Sequence, residues 1–139
     1  MARENTLHAQ VLTPEGAVFD GEVEQLSTRT KVGEIGILAN HVPLLARLEP
    51  TELRLHMEGG DTETWAQAEG WLQVFANRAM VLVTEAIPPD QLDTSELESK
   101  VKDAEQRLGE AEEDSAAYAQ AERDKRRAEA FLEVAGSQN

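Results

Sequence analysis

The sequence predicts an antiparallel β-sandwich or barrel followed by an antiparallel helical hairpin. Apolar residues alternate with period two through the first part of the chain, and turn signals recur there at short intervals. After Pro88-Pro89 the apolar spacing becomes helical. Short strands with frequent turns are the pattern of sandwiches and barrels.

The strands come first. Leu7, Ala9 and Val11 share one face of an early strand, and Leu53, Leu55 and Met57 form the inner face of a later one. Turns are predicted at Pro14-Glu15-Gly16, Asp20-Gly21, Val32-Gly33-Glu34, Glu49-Pro50, Gly59-Gly60-Asp61 and Glu69-Gly70. "WLQVFANRAMVLV" reads as two β-branched and aromatic runs joined by a hairpin around Asn77-Arg78. Phe19, Trp65, Trp71 and Phe75 all lie in this part and are expected to fill the core.

Ile87-Pro88-Pro89-Asp90 ends the β region, because proline offers no ladder donor and restricts the residue before it. Asp93-Thr94-Ser95-Glu96 then reads as a capping box. Leu97, Val101, Ala104 and Leu108 follow as one narrow stripe, with Gly109 as the expected C-cap. A second helix is predicted from near Asp114 to about Val134, with Ala117, Ala121, Ala128, Phe131 or Leu132, and Ala135 along its stripe. Alanines bury little area, so at roughly 25 cal/mol per Å² the seam is worth only a few kcal/mol before ordering costs. The pattern leaves open a hairpin that stays docked and one that leaves the sandwich.

Composition narrows the function. The 139 residues suit one domain, or a compact domain with an appendage. With no cysteine there are no disulfides, thiolate zinc sites or cysteine nucleophiles. No apolar run approaches the ~20 residues of a membrane span. The opening "MARENTLHAQ" has neither a signal-peptide apolar region nor a basic amphipathic leader, so a soluble, cytosol-facing protein is expected. The net charge of −14 disfavours nucleic acid and anionic lipid as partners. Residues 1–89 carry 13 acidic and 6 basic side chains and residues 90–139 carry 14 and 7, so each part stands at −7 and neither is a simple acidic tail.

Little of this chemistry is catalytic. His8, His41 and His56 have no helical i+3 or i+4 partner of the kind a metal site uses. No nucleophile elbow or phosphate-cradling Gly-Lys loop occurs. Two features stand out. In "GEIGILANHVPLL", Pro43 forces Val42 toward extended geometry, so His41-Val42-Pro43 should project, with Leu44 and Leu45 close behind. That is either an ordinary loop or a contact surface. The other is Arg123, Lys125, Arg126 and Arg127, a basic patch in an acidic protein, with Arg123 and Arg127 on one helical face. It can pair internally with Glu122, Asp124 and Glu129, or grip an acidic partner or nucleotide phosphates.

"LTPEGAVFDGEVEQLS", "VGEIGILANHVPLLARLEP", "AEGWLQVFANRAMVLVTEA" and the closing two-helix pattern, in that order, resemble the epsilon subunit of F-type ATP synthase, whose mitochondrial counterpart is called delta. The likeness covers nearly the whole chain and is most specific in Gly-Glu-x-Gly-Ile-Leu-x-x-His-x-Pro-Leu-Leu. It implies a flattened sandwich of about ten strands over residues 1–88, docked on the gamma subunit and the membrane c-ring, and a regulatory helical hairpin over 89–139. It implies a non-catalytic central-stalk subunit that couples proton flow to ATP synthesis and, in bacteria, inhibits ATP hydrolysis through its helices. It would sit peripherally on the cytoplasmic face of the plasma membrane, touching the membrane only through the complex. No cofactor is implied.

By that resemblance, Glu34, His41, Pro43 and Leu44 would face gamma and the c-ring. Arg123, Lys125, Arg126 and Arg127 would contact the catalytic beta and alpha subunits. Some bacterial members bind ATP through Ile/Leu-Asp-x-x-Arg-Ala, which here reads Leu92-Asp93-Thr94-Ser95-Glu96-Leu97. Asp93, Arg123 and Arg127 keep positions suited to nucleotide, but Glu96 stands where the arginine would be and should repel phosphate. ATP sensing is therefore expected to be absent or very weak. The alternatives are a stand-alone nucleotide sensor using the basic patch, and a small sandwich enzyme near His41.

Overall fold

The computed structural model describes residues 5–138; residues 1–4 and Asn139, the outermost positions of the two predicted spans, lie outside the described residues. Within them the chain forms β1 (Leu7–Thr13), β2 (Gly16–Val23), β3 (Gln25–Thr30), β4 (Gly33–Leu38), β5 (Leu44–Leu48), β6 (Thr51–His56), β7 (Thr62–Gln67), β8 (Gly70–Phe75), β9 (Arg78–Val83) and β10 (Ala86–Ile87). A 3₁₀ turn at Pro89–Gln91 leads to α1 (Thr94–Glu110) and α2 (Ala116–Ser137). The result is a ten-stranded sandwich followed by two helices.

The strands join in the order β10-β7-β6-β3-β5-β8-β9-β1-β2, with β4 added on β3. β3 pairs with β6 through Gln25–Ser27 and with β5 only at Thr30, so it is the strand at which the sheet passes from one layer to the other. The pairings are antiparallel except β1 with β9, where His8–Leu12 run parallel to Arg78–Leu82. No hairpin links those two strands, so turn geometry does not dictate their direction.

Alternation decides what is inside. Leu7, Ala9 and Val11 of β1 are fully buried, as are Leu53 and Leu55 of β6, Leu72 and Val74 of β8, and Val81 of β9. Met57 packs against that cluster from its margin. Trp65 meets Phe19 edge-to-face at 5.9 Å. Trp71 and Phe75 do not fill the core as expected: they lie on the opposite row of β8 and are 47% and 64% exposed.

Smaller corrections follow from local geometry. Asp20-Gly21 lies inside β2 rather than in a turn. The β8–β9 hairpin turns on Ala76-Asn77, one residue earlier than expected, with φ values of 52° and 60°. Asp93 caps α1 by accepting from the Glu96 amide at 3.1 Å, as the capping box predicts. Gly109 is not the C-cap; the helix continues to Glu110 and closes with the Ala111 amide donating to the Arg107 carbonyl. α2 starts from a Ser115 cap and runs past Val134 to Ser137. Its buried stripe is Ala121, Ala128, Phe131 and Val134, while Ala117 is exposed in the first turn.

One close approach is set by a glycine. A Cβ on Gly70 would lie 1.9 Å from the Leu82 carbonyl oxygen and 2.8 Å from Val83 Cα, both backbone atoms of the neighbouring strand. Gly70→Ala is expected to lower stability by about 2–3 kcal/mol. A Cβ on Gly109 would meet nothing within 4 Å, so Gly109→Ala should raise stability by about 0.5–1 kcal/mol. Urea midpoints of the two variants would show it, and a Gly70→Ala midpoint equal to wild type would contradict the close packing of β8 on β9.

Candidate functional site: an apolar sheet face and a charged hairpin seam

The loop between β4 and β5 is held open by its backbone. Asn40 takes a left-handed φ of 63°, the His41 amide donates to the Leu38 carbonyl at 3.2 Å, and His41 Nδ1 lies 2.7 Å from the Val42 carbonyl oxygen. Pro43 and Glu34 are exposed, Val42 is 70% exposed, and His41 is half-buried. Glu34 pairs with Arg29 across the β3–β4 ladder at 3.6 Å. Leu44 turns inward against the sandwich core, and Leu45 instead is presented to solvent.

Leu45 is part of a larger surface. The register sets Leu45 opposite Gln73, Arg47 opposite Trp71, Trp71 opposite Leu82, and Phe75 opposite Arg78. The outer face of β5, β8 and β9 thus gathers Leu45, Trp71, Phe75 and Leu82, all at least 42% exposed. The Arg47 guanidinium lies 5.8 Å from the Trp71 ring centroid. Exposed aromatics beside an arginine have the composition of a protein-binding surface. Sequence reasoning missed this face by assigning its aromatics to the core. Gln73, polar and on their row, was the available signal.

The second element is the seam between hairpin and sandwich. Its apolar part joins Ala66 and Ala68 at the β7 end to Leu97 of α1 and to Ala128, Phe131 and Val134 of α2. Around it, Arg127 pairs with Glu69 and, at 3.5 Å, with Glu85. Arg126 reaches Glu49 at 3.6 Å. Ser137 and Gln138 donate to Glu52 at 3.2 and 2.9 Å. Between the helices Arg107 meets Asp124 at 2.9 Å and Lys125 meets Glu105 at 3.4 Å. Partial burial works against the charge on Arg127, but its bond to Glu69 and the field of Glu69 and Glu85 outweigh that and raise its pKa. It stays cationic wherever the protein is folded.

The basic patch is therefore divided. Lys125, Arg126 and Arg127 bind the chain's own carboxylates, none of them the helix neighbours Glu122 or Glu129, while Arg123 is exposed and donates to Gln120 at 2.8 Å. Asp93 and Arg127 line one cleft of about 500 Å³ between α1, α2 and the β10 region, but Arg123 does not. Glu85, Asp93, Glu96, Asp103 and Asp124 outnumber Lys100, Arg107 and Arg127 in that cleft. An excess of carboxylates is a poor lining for phosphate.

The histidines lie apart. His8 sits across the ladder from Glu22 and bonds Asp20 at 2.6 Å, and His56 lies 3.4 Å from the Thr62 hydroxyl. Gln10 donates to Asp20 at 3.1 Å, which with His8 and Arg78 holds the Asp20 pKa down. Among the described residues no three His, Asp or Glu side chains are grouped to hold a metal ion. No helix among them is long and apolar enough to cross a membrane.

Comparison with known proteins decides the family. Residues 6–89 match the family profile described as ATP synthase, Delta/Epsilon chain, beta-sandwich domain. The chain belongs to that family. Similar members include the ATP synthase epsilon chains of Halalkalibacterium halodurans, 36% identical over 94% of this chain and 98% of that one, and of Persephonella marina, 39% identical over 91% and 94%. The fold is shared with a chain in the cryo-EM structure of Euglena gracilis mitochondrial ATP synthase, OSCP/F1/c-ring, with a TM-score of 0.79, 20% identity and coverage of 100% of this chain and 85% of that one. A chain in the Tetrahymena thermophila mitochondrial ATP synthase central stalk/c-ring structure gives 0.62 at 14% identity, over 96% and 99%. The delta/epsilon profile ends before α1, while these relatives align across the helices as well.

The seam predicts a specific response. Arg127→Ala would leave Glu69 and Glu85 facing each other with no cation, costing hairpin docking about 1.5–3 kcal/mol. Amide exchange in α2 should accelerate while that of β1 and β8 stays slow. Uniform acceleration across sandwich and helix would mean that Arg127 supports the whole fold rather than the seam.

Proposed function

We propose that this chain is a non-catalytic central-stalk subunit of an F-type proton-translocating ATP synthase. Its sandwich, residues 1–88, docks on gamma and the c-ring and helps couple proton flow to ATP synthesis. Its hairpin, residues 89–139, restrains ATP hydrolysis by reaching the catalytic beta and alpha subunits. In this reading the chain is held at the cytoplasmic face of a bacterial plasma membrane through the complex alone.

Family membership carries the proposal, and the exposed face of Leu45, Trp71, Phe75 and Leu82 gives it a surface. His41 and Pro43 are the loop contacts to the rotor, Glu34 is a contact from the opposite end of β4, and Leu44 supports the loop from beneath. For the hairpin to leave, Lys125, Arg126 and Arg127 must exchange their present carboxylates for others of similar geometry. An acidic segment on a catalytic subunit supplies that chemistry, and Arg123, which donates to Gln120, has no carboxylate partner among the described residues. The alternative, a stand-alone nucleotide sensor, is disfavoured by the acidic cleft and by Glu96 within it.

Deleting residues 90–139 should leave a folded sandwich and raise ATP hydrolysis by the assembled complex. An unchanged hydrolysis rate would reduce the hairpin to a structural role. Pull-down of the full chain from its native membrane should recover gamma and the c-ring subunit. Calorimetric titration of the isolated chain with ATP should show no micromolar binding; such binding would revive the sensor reading.

A further inference from the structure

Three segments distant in sequence meet at one end of the sandwich, and one side chain joins them. Asn77 Oδ1 accepts from the Asn40 amide at 2.7 Å, and Asn77 Nδ2 donates to the Thr6 carbonyl at 2.9 Å. The Asn77 carbonyl also accepts from the His8 amide at 3.1 Å. A single half-buried residue thus ties the β8–β9 turn to the start of β1 and to the β4–β5 loop.

The turn itself shows that this residue is held in place. Both its central positions are left-handed, at φ 52° for Ala76 and 60° for Asn77. Asparagine tolerates that region, but alanine is strained in it. A hairpin with an alanine there keeps its register only where other contacts hold it. The two side-chain bonds of Asn77 do so, and they reach across 37 and 71 residues of sequence.

What the tie fixes is the spacing of two exposed apolar groups. Phe75 stands immediately before the turn and is 64% exposed; Val42 stands in the β4–β5 loop, two residues beyond Asn40, and is 70% exposed. We propose that Asn77 is a positioning residue of the docking surface: it sets the loop carrying His41, Val42 and Pro43 against the sheet face carrying Phe75. This rests on the reading of that loop as a rotor contact. Asn77 itself need not touch the partner.

Asn77→Gly permits the same left-handed turn and removes both side-chain bonds; Asn77→Asp keeps the acceptor for Asn40. In the full chain, Asn77→Gly should speed exchange of the Asn40 amide by about tenfold, the scale of one lost hydrogen bond. Exchange of β8 and β9 core amides should stay near wild type. Binding to a gamma–c-ring assembly stripped of its own copy of this chain should weaken by about fivefold to tenfold. Asn77→Asp, which keeps that acceptor but turns an oxygen toward the Thr6 carbonyl, should restore part of both, and it carries the test if the glycine variant does not fold: Asn40 exchange in a folded Asn77→Asp as fast as that of an unbonded amide would overturn the proposal. Unchanged Asn40 exchange in Asn77→Gly would overturn it too, as would unchanged binding while Val42→Ser weakens binding. Unchanged binding in both Asn77→Gly and Val42→Ser would instead remove the loop reading, and the proposal with it.

Discussion

The parallel ladder between β1 and β9 is the constraint on which the sandwich rests. It brings the N-terminal hairpin against a strand formed some seventy residues later, and no local turn supports it. Without it, Leu7, Ala9 and Val11 would have no facing layer, and β9 would present an open edge. The same ladder places Thr6 and His8 beside Asn77. One long-range pairing therefore closes the core and organises the end of the sandwich that carries the β4–β5 loop. Such pairings form late, because loop closure must precede their reward.

Much of the architecture was legible because two periodicities do not overlap. Alternation in β1 and β6 marks the buried rows directly, and the capping residue of α1 could be named from Asp93 and Glu96 alone. Legibility stopped where a row could face either way. In "GWLQVF" both rows of β8 carry large apolar residues, and Gln73 is the one mark in the sequence that Leu72 and Val74 go inside. The direction of β1 against β9 was hidden for a similar reason, since pairing across a whole domain leaves no local mark.

The candidate site was legible in parts. The family-specific motif gave Glu34, His41 and Pro43 as surface residues, but Leu44, expected on the contact surface, packs inward and Leu45 is exposed in its stead. The basic patch was visible as composition, whereas its partners were not. Glu69 and Glu85 lie 58 and 42 residues before Arg127, so their convergence depends on where α2 lands over β6 and β7. On this seam Arg107 and Arg127 each meet two carboxylates, and Lys125 and Arg126 meet one each. These pairs are partly exposed, so their contribution to hairpin docking falls as ionic strength rises.

The alanines of the seam have a consequence beyond weak docking. Ala66, Ala68, Ala121 and Ala128 let α2 lie close on its neighbours, yet each presents only a methyl group. A helix lifting from such a track uncovers Phe131 and Val134 on its own face, and Leu97, Ile87 and Leu92 beneath it. On the proposed reading the hairpin leaves a track that offers it little to catch on, like a zip whose teeth are few and whose tape is smooth.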